Sequence, residues 1–479
     1  MGAGVSPSAM SSSTPLSWAA KGGYEVVVQM LLKRDDVNPS IADRHGETPL
    51  LISALGGYEG VVRLLLERND VNSSIANRYG ETPLLIAAGK GDEEVVKMLL
   101  ECNDVNPNIR NVYGETPLHR AACKGHEGVV KMLLERNNVN PNIREQRGKT
   151  PLFIAACEGH EGVVKMLLER NDVNPNTAES TGDTPLFRAA MAGREGVVKM
   201  LLERNDVNYN TPVSFGFTPL HVAAEGGYEG IVKMLLKRND INPNTAESGS
   251  TPLWAAAFGG HEGAVKVLLE RNDVNSNTAD EFGHTPLFVA ACRGYEGVAK
   301  MLLERNDISP DIANRKGQTP LFIATWDGHV GIVKMLLKRN DVNPNTPESG
   351  GKTPLFMAAW GGREAVVKML LERLDVNPGS ANRFDITPLI AAASNGHEVV
   401  VKMLLERAEA NSNITDMVGK TALSEALQCG YPGILKQPVI LKLLSEHKKL
   451  ILPSASDEFT APLSEDLYWT YLCPPKRFH

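Results

Sequence analysis

The sequence predicts an all-α repeat solenoid, and three observations carry that prediction. The first is a phrase, Thr-Pro-Leu followed by a pair of small residues. It opens at Thr14, Thr48, Thr82, Thr116, Thr150, Thr184, Thr218, Thr251, Thr285, Thr319, Thr353 and Thr387, with a degenerate thirteenth copy at Thr421-Ala422-Leu423. The second is its period of 34 residues, broken once by the 33 residues between Thr218 and Thr251; a fixed interval of this size marks a stack of similar supersecondary units. The third is that no helical stretch within a unit reaches the roughly 12–15 residues needed for stability in isolation. Each unit is therefore stable only against its neighbours.

The elements follow in order within the unit from Thr116 to Lys149. Thr116 is suited to cap a helix, because its hydroxyl can accept from an unpaired amide of the first turn. Pro117 suits the first helical position, where no N–H is needed. Ala121 and Ala122 are small enough for close packing, and Gly125 ends the helix by entering the left-handed conformation. A second helix is expected from about Glu127 to Arg136, where Val129, Val130, Met132, Leu133 and Leu134 leave only Lys131 facing outward. That stripe is too wide for a simple surface helix, so neighbours are expected on several sides. Glu127 and Lys131 stand in the favourable i,i+4 order, and Asn137 is the expected left-handed residue after the helix. Asn140-Pro141-Asn142 and Tyr113-Gly114-Glu115 then form the connecting turns.

Departures from the repeat locate its weak points. Gly128 and its equivalents Gly60, Gly162, Gly196, Gly230, Gly263, Gly297 and Gly331 fall in the first turn of the second helix, where glycine is a poor helix former. Alanine at Gly128 or Gly162 is thus expected to stabilise. Asp385 stands where other units have a turn glycine, which makes a left-handed residue costly there. The loop at Glu247-Ser248-Gly249-Ser250 is one residue short and should tighten its turn. The first unit starts without a polar capping repeat, so either the terminus frays or the chain descends from a longer protein. Pro432 and Pro438 interrupt the last unit, and Ser445 to Lys449 reads as a polar cap. The aromatic cluster from Leu467 to Leu472 is expected to pack on the last unit.

The pattern Thr-Pro-Leu-His-x-Ala-Ala…Gly-His…Val-Val-Lys-x-Leu-Leu…Asp-Val-Asn resembles the ankyrin repeat over roughly nine-tenths of the chain. The variant Glu-Arg-Asn-Asp-Val-Asn-Pro-Asn is similar to the expanded arrays of filamentous-fungal ankyrin proteins. The resemblance implies two antiparallel helices and a β-hairpin-like loop per repeat, with a concave protein-binding face. It supplies no catalytic residues. The chain then divides into a flexible leader at 1–13, an array of about 13 repeats at 14–452 whose last copy is a degenerate cap, and a C-terminal tail at 453–479. Stacked at about 10 Å per unit, the array would be a curved rod on the order of 130 Å long. Fungal arrays of this kind often follow a nucleotide-binding sensor or phosphorylase-like domain, but the Gly-x-x-x-x-Gly-Lys-Ser/Thr loop of the former does not occur here.

Composition narrows the function. The net charge is −7, dispersed over Glu-Arg and Asp-Lys pairs, with no basic stripe interleaved with aromatics, so nucleic acid is not an expected partner. No apolar run approaches 18 residues, and no hydrophobic signal core points to secretion. Met1 to Ser6 fits the minimal myristoylation pattern at Gly2, but no basic cluster follows it, and it reads as flexible leader. His126, His160, His261, His329 and His397 recur at one repeat position, and about 10 Å between neighbours is too far for a shared metal. The cysteines have no mates in reach and fit a reducing compartment. No metal, cofactor or enzymatic activity is expected. The expected protein is a monomeric, cytoplasmic scaffold, with nuclear entry open to it. The rival reading is the ligand-sensing arm of a fungal immune-like or signalling protein whose effector domain lies on another chain.

Internal comparison of the units shows which positions the fold leaves open. One follows the Ala pair; the others flank the hairpin glycine. From the seventh unit onward these positions turn aromatic, at Phe215, Phe217, Phe258, Phe282, Trp326 and Trp360. Together with Met191, Tyr113 and Tyr79 they are the candidate partner-binding residues, since in ankyrin proteins such positions line the concave face. Grouped exposed rings favour an interface. Trp326 and Trp360 stand where other units hold Gly89 and Ser394, so their truncation is expected to spare the fold.

Overall fold

A computed structural model describes residues 14–213, 216–238, 240–246, 249–407 and 410–429. Among them are 25 helices, forming twelve successive pairs and a first helix of the thirteenth unit, Ala422–Cys429. No strand forms among the described residues. In the fourth unit the helices are Pro117–Lys124 and Glu127–Leu134. The Thr116 hydroxyl accepts from the His119 amide, the proline sits in the first turn, and Gly125 ends the helix at φ 72°. The same threonine cap recurs from Thr14 to Thr387.

The core is one continuous strip rather than a ball. Leu118, Ala121, Ala122, Val129, Val130 and Leu133 are fully buried and abut their equivalents in the units before and after. First helices pack against one another more closely than second helices do. The alanine pairs permit that approach, because a methyl group adds little to the interaxial distance.

Between helix pairs the chain makes a hairpin-like turn. The Asn111 amide donates to Glu115 O at 3.0 Å around Gly114, whose φ is 81°. The next hairpin joins it, with the Gln146 amide donating to Tyr113 O at 3.0 Å. At Asp385 the same turn is made with φ 59°, the only positive φ of a non-glycine among the described residues. Of the shortened loop, Glu247 and Ser248 lie outside the described residues; at Gly249 a Cβ would lie 2.3 Å from Ala279 O, whereas at Gly46 or Gly80 the nearest contact would be 3.0 Å.

Four expectations change. The second helix ends at Leu134, two residues early. No described asparagine, Asn137 included, is left-handed, because the exposed helix-end carbonyls are satisfied from the next unit instead. Arg170 Nη1 donates to Leu134 O at 3.0 Å while its Nε and Nη2 hold Asp172. No ion pair joins Glu127 to Lys131; the Glu127 carboxylate turns toward the next unit, where a Cβ on Gly162 would lie 1.9 Å from its Oε1. The first-turn glycines are therefore berths for the preceding unit's carboxylate at a positive helix end, not defects. Alanine at Gly128 or Gly162 would displace that carboxylate, so the expected stabilisation does not follow from propensity alone.

The repeated Asn-Pro-Asn has a similar use. Asn142 Nδ2 donates to Asp172 O at 2.6 Å, and Asn142 Oδ1 accepts the Asn174 amide at 2.9 Å. One side-chain amide thus closes a two-bond link to the backbone of the following unit. The leader at 1–13, the expected C-terminal cap and the tail at 453–479 lie outside the described residues.

Candidate binding face

The row of first helices and hairpin tips carries the candidate residues. Tyr79 and Tyr113 are exposed on consecutive tips. Arg78 lies over the Tyr79 ring at 4.8 Å and donates to its hydroxyl at 2.7 Å. Met191 ends its helix exposed, and Arg188 Nη1 reaches its sulfur at 3.8 Å. Phe217 is half-buried and leans on His221, ring centroids 4.4 Å apart. Phe258 stacks on Trp254 at 5.0 Å and 10°, and Arg293 of the next unit covers it at 4.0 Å. Phe282 is the most exposed of the described rings of the group, at 56%. Phe215 lies outside the described residues.

Trp326 and Trp360 meet with centroids 6.2 Å apart, so the structure brings these two predicted residues together. They differ in burial. Trp360 is 39% exposed, whereas Trp326 is half-buried against Phe322 and covers a second apolar cluster of Phe322, Phe356, Met357 and Ala391. Trp326 is thus partly a packing residue, and its truncation would open a void beside Phe322. The other predicted residues stand as separate contact points along the row.

Three features of this face are not obvious from the repeat alone. Arg120 bonds Glu81 of the preceding unit at 3.0 Å and Glu115 of its own at 2.8 Å. Arg188 instead holds two acids of a single hairpin, Glu179 at 3.0 Å and Asp183 at 2.7 Å. Their signal is an arginine where neighbouring units hold Ile86 and Ile154, with an acid just before the threonine. Burial pushes the Asp183 carboxyl up, against the pull of Arg188. Trp254 is the third: its Nε1–H donates to His284 O at 3.0 Å, as the imidazole of His119 meets Lys149 O at 3.1 Å. The apolar replacement at that position keeps the hydrogen bond.

The recurrent histidines clasp neighbouring units. Nε2 of His126, His160 and His329 meets the carbonyls of Gly89, Cys123 and Cys292 at 3.1–3.2 Å. Each ties the entry of a second helix to the end of the first helix one unit back. No group of three or more His, Cys, Asp or Glu among the described residues could hold a metal. Two surface hollows lie at the first unit, beside Trp18, Lys21, Asp43 and Glu47 and beside Leu16, Leu31, Val37 and Ile41. No helix among the described residues is long and apolar enough to cross a membrane.

A family model described as ankyrin repeats, in three copies, matches overlapping segments at 3–75, 69–145, 137–212, 171–247, 205–278, 220–314, 307–382 and 374–447. No curated protein matches the chain.

Proposed function

The chain belongs to the ankyrin-repeat family, whose members mediate protein–protein interaction, and from that premise we propose that it is a non-enzymatic scaffold binding a partner protein along its row of first helices and hairpin tips. Closer packing of the first helices supports an inner, concave row on that side. The observation that carries the reading is the set of rings left exposed between the eighth unit and the eleventh, at Phe258, Phe282 and Trp360. Phe282 and Trp360 expose large rings on a framework that elsewhere accepts Arg147 or Ser394 at the same positions. Large rings dominate binding hot spots because they exclude water over a wide area at low entropic cost.

The chemistry that such a face offers is contact rather than reaction: exposed rings, cations over several of them, and ion-paired side chains between them. Affinity capture with the full chain as bait, beside a Phe282→Ala/Trp360→Ala bait, tests the reading. A partner retained by the first and lost by the second supports it; identical captures refute this placement of the site.

A further inference from the structure

The second-helix row carries a regular inter-unit clamp with two consecutive gaps. In nine junctions among the described residues an arginine after the second helix donates Nη1 to a leucine carbonyl at the end of the preceding second helix. The series runs Arg68 to Leu32, Arg170 to Leu134, Arg204 to Leu168 and onward to Arg407 and Leu371. In most of these the same guanidinium also holds the aspartate two residues on, as Arg204 holds Asp206, which fixes it for the carbonyl. Cations at helix C-termini are favourable in themselves, and the carbonyl there otherwise lacks a partner.

Two successive junctions differ. Cys102 replaces the arginine, so Leu66 O receives no guanidinium. Arg136 is present, but Asn138 replaces its aspartate and the side chain makes neither contact. Asp104, without an arginine, instead accepts from the amide and hydroxyl of Ser73. The second helices Glu59–Leu66, Glu93–Glu101 and Glu127–Leu134 are also the ones that touch one another least. On the opposite side the third and fourth units are firmly joined. There the first helices Pro83–Lys90 and Pro117–Lys124 are in the closest contact of the array, Arg120 bridges Glu81 to Glu115, and His126 holds Gly89 O.

We propose that the second to fourth units form a built-in flexion point, pinned along the first-helix row and held along the second-helix row without the arginine clamp, by the Ser73–Asp104 and Asn108–Asn140 links. Motion there changes the spacing of the outer helices, and with it the angle between the tips bearing Tyr79 and Tyr113. The array then behaves as two stiffer segments joined at the third unit, and its curvature can adapt to a bound surface without loss of the inner contacts.

Hydrogen exchange on the full chain tests this, with Cys102→Arg/Asn138→Asp restoring both clamps and Arg204→Ala removing one elsewhere. The expected result is amide exchange at least tenfold faster in 93–101 than in 262–269, with the double variant removing most of that difference. Arg204→Ala should produce a new fast segment around 161–169 and 195–203. The two single variants serve if the double does not fold. A smooth decline of exchange from the first unit inward, unaltered by restoring the clamps, would overturn the proposal, because fraying from one end would then explain it.

Discussion

His221 shows what a single buried side chain contributes. Burial pushes its imidazole down to about 4, against roughly 6.5 in an unfolded chain. The unfolded state therefore binds the proton first as pH falls. Stability associated with this residue is present above about pH 6.5, is lost at about 1.4 kcal/mol per unit down to about 4, and does not fall further below that. His119 is pushed the same way by its burial. His221→Phe, the residue type other units use there (Phe153, Phe187), should lose about 1–2 kcal/mol less than wild type between pH 7 and pH 5 in urea unfolding. Equal losses would show that this imidazole is not the acid-sensitive group.

A residue pair tests the reassigned glycines. Gly162→Ala alone sets helix propensity against displacement of the Glu127 carboxylate and should gain little. In a Glu127→Ala background the same change should gain ~0.5–1 kcal/mol. An additive cycle would disprove the coupling. The array contains its own version of the double change: Val330 replaces the glutamate, and Ala365 replaces the following glycine. Asp385→Gly should stabilise by up to ~1 kcal/mol, since the backbone there is already left-handed.

At the scale of elements, helix positions were legible in the sequence because caps and stops are local. Thr116, Pro117 and Gly125 act where they stand. Inter-unit bonds were not legible, because they join residues 29 to 39 apart whose side-chain directions the repeat does not reveal. Hence the repeat points to Asn137 as a helix stop where Arg170 caps the helix end, and pairs Glu127 with Lys131 where the carboxylate faces Gly162. The first helix pair shows the complement of the same rule. Val26 and Met30 are 69% and 66% exposed on the side that later units cover. Residues 14–45 should accordingly exchange amide hydrogens faster than 150–210 in the intact chain. Uniform protection over the two ranges would contradict a nearest-neighbour account of stability.

At the scale of the molecule, the repeat period alone fixed the architecture, since stacking is the only way short helices with wide apolar faces can be buried. The binding face is legible only as a set of positions released from the fold. Side-chain burial then sorts them, and Trp326 illustrates the sorting. Its truncation should cost ~2 kcal/mol of stability by opening space beside Phe322, so it is a poor probe of binding. Phe282 and Trp360 are better probes, because their rings are more exposed. The most direct test is therefore calorimetric titration of a captured partner into wild-type chain and into Phe282→Ala/Trp360→Ala, with Tyr79→Ala/Tyr113→Ala as the comparison at the other end of the row. The account predicts a loss of at least ~2 kcal/mol, about 30-fold in Kd, for the first pair with an unchanged melting temperature. Affinity unchanged in the first pair but lost in the second would contradict it and move the site to the early units.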